Sequence, residues 1–217
     1  DFRYKELFSN LEYVWEVLNR RDEFIREAVV SALKGKVMPQ AIIEGEVYLG
    51  EGSVVEPGAY IKGPTIIGKN TLIRHGAYIR GNVLIGDNCI IGHSTEVKGS
   101  IMLNHSRAPH FAYVGDSVLG GGVNLGAGTK LSNVKVTERN IKLFINGREY
   151  DTGLTKFGAI IGDKVQTGCN TVTNPGTLIG RETIVYANIS LRGYYPPHKI
   201  VKLKQEHQIV EIIPNRP

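Results

Sequence analysis

The chain has 217 residues, 26 of them glycine, with 41% hydrophobic and 22% charged side chains and a formal net charge of +5. That length supports one domain with a sizeable core, or a domain plus a small appendage. The positive balance favours small anionic ligands such as sugar phosphates or coenzyme A. The basic residues are scattered and no recognition helix or RNA-binding motif is present, which argues against nucleic acid.

Residues 1–36 read as a helical segment. Ser9 and Glu12 stand at capping-box spacing, Leu11, Val14, Trp15 and Leu18 follow a helical period, and so do Ile25, Ala28, Val29 and Ala32. Two short amphipathic helices are expected, stopped at Gly35, as a cap over the first coil of the body downstream or as packing between subunits.

From Val37 the pattern changes. Every sixth residue from Ile43 to Leu103 is aliphatic, and from Ile43 to Val97 a small or β-branched residue stands four places after each. Neither a helix nor a flat strand has a period of six; a fixed short repeat means a solenoid. Three hexads make a coil of about eighteen residues, so residues eighteen apart stack in space. Position 109 is proline, so Asn104–Tyr113 is expected to be an irregular turn of the coil. Phase returns at Leu119, Leu125 and Leu131, and again from Ile161 to Leu191. Residues 132–160 depart from it, with two strand-like runs around Asn146-Gly147, the strongest short hairpin signal. A β-hairpin loop is expected to leave the prism and return. The body thus spans 37–195 with the loop at 132–160, and 196–217 forms a tail that reads as a strand or arm packing on a neighbour.

Cys89 falls on a small-residue position of the hexad and reads as a packed thiol. With Cys169 it makes no disulfide framework, and a reducing cytoplasm is the simplest home. There is no run of eighteen apolar residues and no signal-peptide pattern, so no membrane span is expected. The chain opens on Asp1, which fits a fragment or a trimmed chain.

Polar residues concentrate around the expected break: Lys98, His105, Arg107, His110, Tyr113 and Asp116. The runs His110-Phe-Ala-Tyr-Val-Gly-Asp116, Val123-Asn-Leu-Gly-Ala-Gly-Thr129 and Ala159-Ile-Ile-Gly-Asp163 come one after another in order. Together they resemble the hexapeptide-repeat acetyltransferase domain of the bifunctional sugar-1-phosphate acetyltransferase/nucleotidyltransferase (N-acetylglucosamine-1-phosphate uridyltransferase) family, over roughly residues 40–195. Gly158 to Gly168 is most similar to the archaeal type. No glycine-rich nucleotide loop stands near the N-terminus, so the chain is expected to lack the nucleotidyltransferase domain.

The resemblance implies an all-β solenoid, a left-handed parallel β-helix with a short N-terminal α-helical cap, assembled as a homotrimer. It implies acetyl-CoA-dependent N-acetylation of an amino-sugar phosphate such as glucosamine-1-phosphate, with acetyl-CoA as the acyl donor. By the same resemblance His110 is the general base. Arg80, Lys98, Tyr113, Asn124, Asn133 and Lys156 bind the sugar phosphate, and Ala127 lies near the thioester. Arg80 is eighteen residues before Lys98, hence one coil below it; Arg74 competes because His-Gly-Ala comes after it. An imidazole with an ordinary pKa near 6.5 suits removal of an amine proton. Cationic side chains anchor a phosphate away from the reacting nitrogen.

Two other readings stand beside this one. The chain can be a non-catalytic sugar-phosphate-binding or assembly module. It can also resemble the γ-class carbonic anhydrases, which share the prism and hold zinc through histidines from two subunits, two of them five apart in one chain. His105 and His110 have that spacing, with His93 or His75 as the third ligand.

Overall fold

The computed structural model describes residues 2–137 and 139–212. The hexads wind into a parallel solenoid with three flat faces. Face 1 stacks nine strands, from Ala32–Leu33 through Val83–Ile85, Ile101–Met102 and Val118–Leu119 to Tyr194–Tyr195. Face 2 runs from Lys36–Val37 to Arg107–His110 and continues through Asn124, which bridges Arg107 and Gln166, to Ile200–Val201. Face 3 stacks eight strands, from Ile42–Glu44 to Ser190–Leu191. The architecture is the left-handed parallel β-helix of hexapeptide repeats, in about nine coils.

The repeat chemistry explains the prism. The aliphatic residue of each hexad turns inward: Leu49, Val55, Ile61, Ile67, Ile73, Ile79, Ile85, Ile91 and Val97 are fully buried in one continuous core. Burial of this kind contributes about 25 cal/mol per Å² of apolar surface. The small residue four places on packs inside a corner and satisfies its backbone. Ser53 Oγ donates to the Gly68 carbonyl and accepts from the Thr71 amide; Thr71 Oγ1 donates to the Gly86 carbonyl and accepts from the Cys89 amide. Cys89 is the next rung, its Sγ 3.2 Å from the Leu103 carbonyl, and burial raises its thiol above the ordinary value.

The structure corrects the phase reading. Ile85 pairs with Met102 rather than Leu103, and Met102 in turn with Leu119. The step from Val97 to Met102 is five residues rather than six, and so is the step from Val114 to Leu119, so two corners are one residue short. Met102 therefore points into the core, while Leu103 packs outside against the N-terminal segment. The stretch 104–113 is consequently regular. Arg107–His110 and Tyr113–Gly115 are strands, with Ala108 and Val114 on the axis.

The helical segment also differs from its expectation. It has two 3-10 turns, Lys5–Phe8 and Val14–Glu16, and one α-helix, Val17–Ala28. Ser9 closes the first turn instead of capping a helix. The helix ends where Val29 turns extended, at a pair of β-branched residues, and Ala32–Leu33 already pairs with Tyr48–Leu49. The chain thus joins the prism before Val37. The helix does not close the open end of the first coil: Trp15, Leu18 and Ile25 pack on the outer side chains of face 1, among them Ile66, Leu84, Ile101 and Val118.

The hairpin forms as its dipeptide demands. Lys142–Ile145 pairs with Arg148–Asp151, and both Asn146 (φ 51°) and Gly147 (φ 82°) take the left-handed conformation of a two-residue turn. Its strands fold back on the same chain. Ile141, Leu143, Leu154 and Phe157 are buried over face 1, and Tyr150 meets the stacked pair Tyr13 and Trp15 at 5.5 and 5.9 Å. Helix and hairpin thus clothe one face. The last coil reaches Ile200–Val201, six residues past the expected end of the body.

Candidate active site

The expected site residues fall into two groups on two corners of the prism. The first lies where face 3 turns into face 1. Lys98 ends the strand Glu96–Lys98, and Asp116 stands just after Tyr113–Gly115 one coil on, with Lys98 and Gly115 in register. Both corners are the short ones. Asp116 adopts φ 43° and is almost fully buried. A buried carboxylate is costly unless paired. Asp116 accepts from Lys98 Nζ at 3.0 Å and from Asn133 Nδ2. The Tyr113 hydroxyl donates to Asn133 Oδ1 at 3.2 Å, so the amide links phenol to carboxylate. Burial first, then the nearby Glu96 and Asp116 carboxylates, raise the Tyr113 phenol above 10, which keeps it a neutral donor. Lys156 comes alongside, bridging Val134 as the loop rejoins the prism, and its neighbour Phe157 donates its amide to the Asn133 carbonyl. Lys156 is exposed.

Arg80 takes the stacked position that coil arithmetic gives it, its amide donating to the Val97 carbonyl one coil on. Its guanidinium, however, turns to Glu96 at 2.7 Å and lies 5.9 Å from the centre of the Tyr78 ring. That hydrogen bond raises its pKa further. Arg74 sits elsewhere, ahead of His75 at the corner between faces 2 and 3, so face 3 brings Arg80 and not Arg74 near Lys98 and Tyr113.

The second group lies at the corner between faces 2 and 3. His110 ends the strand Arg107–His110, stacked in register on His93. Its carbonyl accepts from the Gly128 amide at 3.0 Å, which sets the Gly126-Ala127-Gly128 turn directly on the next coil. Gly126 is required there: a Cβ would come within 2.5 Å of the Gly168 backbone. Asn124 lies on face 2, three residues before Ala127. One strand of face 3, Tyr113–Gly115, separates the two corners, roughly 10 Å at 3.3 Å per residue. The fold therefore gathers Lys98, Tyr113, Asn133 and Lys156, and separately His110 and Ala127; Asn124, stacked on Arg107, stands at the other end of the face 2 strand.

Sequence reasoning missed two members of the first corner. Arg21, from the N-terminal helix, reaches Asp116 at 3.6 Å and donates to the Gly99 carbonyl. Glu96 holds Arg80. The signal that was available for the corner is Met102, whose apolar side chain marks the dropped residue.

The metal reading finds no support within one chain. His105 and His110 lie on different corners, at opposite ends of the face 2 strand. His75 and His93 stack on each other at 5.6 Å and direct their Nδ1 atoms to the Pro57 and His75 carbonyls. Among the described residues no three His, Cys, Asp or Glu side chains gather as a metal centre.

A prism of stacked six-residue repeats with polar side chains gathered at its corners is the architecture of a hexapeptide-repeat domain. A family profile described as the GMPPB C-terminal domain matches residues 61–147. The bifunctional protein GlmU of Methanococcus maripaludis is 41% identical over 199 residues, covering 92% of this chain and 48% of that protein. GlmU of Methanocaldococcus jannaschii is 33% identical over 166 residues, 76% of this chain and 40% of that one. Among solved structures, the UDP-N-acetylglucosamine acyltransferase from Campylobacter jejuni aligns with a TM-score of 0.43 at 19% identity, over 74% of this chain and 69% of that one. The chain belongs to the family of acetyltransferase domains carried by GlmU-type bifunctional proteins. It spans about half the length of the curated relatives it matches.

Proposed function

We propose that this domain transfers an acetyl group from acetyl-CoA to the amine of an amino-sugar phosphate, most simply glucosamine-1-phosphate. The observation that carries the reading is the single network at the corner of faces 3 and 1, where Lys98, Tyr113 and Asn133 meet through Asp116 beside Lys156. Lys98 spends one ammonium donor on Asp116 and keeps two for a phosphate oxygen. Tyr113 and Lys156 supply further donors, and Arg80 adds positive charge on the same face.

His110 accepts the proton of the attacking amine. The amine nitrogen attacks the thioester carbonyl, and the tetrahedral oxyanion collapses with loss of the CoA thiolate, which takes up a proton. In the Gly126-Ala127-Gly128 turn the Gly126 and Gly128 amides bind the Thr167 and His110 carbonyls, so the Ala127 amide is the donor offered to that oxyanion. The two corners of one chain lie too far apart for a single hexosamine phosphate to bridge comfortably. A homotrimer, in which the phosphate corner of one copy faces the histidine corner of the next, closes the gap. Among the described residues, faces 2 and 3 carry no helix or hairpin of their own chain, which leaves them free for such a neighbour.

The test is release of free thiol from acetyl-CoA against a panel of amino-sugar phosphates and their unphosphorylated counterparts. Turnover is expected only with a phosphorylated amino sugar. His110→Ala is expected to lower kcat by roughly 10²–10⁴ with substrate binding nearly intact. Full activity in that variant removes His110 as the base. Tight binding of the sugar phosphate without turnover in the wild type gives the protein a purely binding role.

A further inference from the structure

The N-terminal helix lies outside the motifs that point to the site, yet one of its side chains enters it. Arg21 is almost fully buried although it belongs to a helix on the outer surface of face 1. Its Nη1 donates to the Gly99 carbonyl and lies 3.6 Å from Asp116 Oδ1; its Nε pairs with Asp22 at 2.7 Å. Lys98 binds the other carboxylate oxygen, Oδ2, at 3.0 Å. The short corner makes this possible. Gly99 holds φ 51°, and a Cβ on it would fall 2.5 Å from Asp116 Oδ1 and 3.3 Å from the Arg21 guanidinium. Two cations from two structural layers therefore share one buried carboxylate, and the third partner of that carboxylate is Asn133.

Resting on the proposed sugar-phosphate site, we propose that Arg21 is a positioning residue for it, acting through Asp116. Without a second cation, Asp116 and Lys98 form a closed pair whose charges cancel, and Lys98 offers little field to a phosphate. Arg21 shares Asp116 through Nη1 while its Nε holds the more exposed Asp22, so Lys98 is not fully neutralised and keeps a net attraction for an anion while the carboxylate still fixes its direction. The groups that surround the pair are Arg21 and Asp22 on the helix, Lys98 and Asp116 on their corners, and Tyr113 and Asn133 beyond. Arg21 is too enclosed to touch substrate itself. The N-terminal helix is by this reasoning part of the site, and a chain lacking its first 30 residues keeps the coil residues but loses the charge balance.

The experiment compares wild type with Arg21→Gln, Arg21→Lys and the double variant Arg21→Gln/Asp116→Asn in the full chain. Arg21→Gln is expected to raise KM for the amino-sugar phosphate at least tenfold and to leave KM for acetyl-CoA within twofold. Arg21→Lys is expected to recover part of the loss. The double variant is expected to recover more, because the charge that Arg21 offsets is gone. A merely structural Arg21 lowers the melting temperature and moves both KM values together or neither, and is not rescued by Asp116→Asn; that result overturns the proposal. A readout independent of turnover follows the Lys98 ammonium by NMR after ¹³C reductive methylation. Arg21→Gln is expected to move the Lys98 methyl signal, since the carboxylate that binds it then has one cation instead of two. An unchanged Lys98 signal overturns the proposal whatever the substrate is. A Lys98 signal that moves as expected, together with no phosphate dependence in wild type and Lys98→Ala, places the failure in the sugar-phosphate reading instead.

Discussion

The corner between faces 3 and 1 occurs in every coil, but it is built in two ways. In the early coils it has its full length, and its charges sit in solvent: Lys62 and Glu44 approach to 3.8 Å with both side chains half exposed. In the coils after Val97 and Val114 the corner is one residue shorter, a glycine or an aspartate takes the left-handed conformation, and a carboxylate is drawn inside between Lys98, Arg21 and Asn133. The same face, the same strand register and the same residue types thus give a solvated ion pair in one place and a buried charge network in the other. A corner one residue short, covered by the N-terminal helix and the start of the loop, turns a surface position into an interior one, and the candidate site is built where that happens.

The largest effect is expected at the centre of the buried corner. Asp116→Ala leaves Lys98 and Arg21 with no carboxylate between them, and removing one partner of a buried charged group costs about 3–5 kcal/mol. Chemical denaturation should show that loss. A variant that unfolds within about 1 kcal/mol of wild type, the range of an exposed pair, means that water already reaches the cluster, and the contrast between the two corners disappears.

Next comes the dropped residue itself. Met102 is fully buried on the axis, and Met102→Ala is expected to destabilise by about 2–5 kcal/mol. Leu103→Ala, on the outer side against the N-terminal segment, should cost less because that side chain is only partly buried. Equal losses, or the reverse order, place Leu103 on the axis and restore a uniform eighteen-residue coil.

That residue also marks how much was readable beforehand. The period of six named the fold, and the fully buried positions from Leu49 to Val97 are those it selected. Asn146-Gly147 named the hairpin turn. After Val97 the aliphatic count still hit Leu103, an apolar residue one place too far, because Met102 and Leu103 are both apolar and a count accepts either. The proline at 109 then looked like a break although it lies on the outward side of a regular strand. The first corner's Lys98, Tyr113 and Asn133 were legible through a resemblance of motifs. Arg21 was not, because its role depends on where a surface helix docks, and no local spacing encodes that. The helix itself was misplaced for a related reason: Ser9 and Glu12 have cap spacing, but packing of Trp15, Leu18 and Ile25 on face 1 decides which residues coil.

Smaller in stability but direct in function is Lys98→Ala. A charge-assisted contact is worth about 1.5–3 kcal/mol, so binding of the phosphorylated amino sugar should weaken roughly ten- to hundred-fold. The unphosphorylated sugar should be almost unaffected. Isothermal titration with both ligands reads the difference; equal weakening of the two means that Lys98 does not meet the phosphate.

The smallest effect belongs to the solvated corner. Lys62 and Glu44 are the same kinds of group at the same corner, three and four coils below Asp116, and the Tyr60 hydroxyl also binds Glu44. Water competes for every one of these contacts, and pairs of this exposure contribute between nothing and about 1 kcal/mol. Lys62→Ala is therefore expected to leave the unfolding midpoint almost unchanged, and raising the salt concentration should remove what difference there is. The Tyr60 phenol, held above 10 chiefly by its hydrogen bond to Glu44, should titrate lower in Glu44→Gln than in wild type, because the carboxylate that disfavours phenolate is gone. A Lys62→Ala loss as large as that of Asp116→Ala is the outcome that defeats the comparison. It would mean that the full-length corner is as desolvated as the short one, and that the missing residue is not what carries the charge inside.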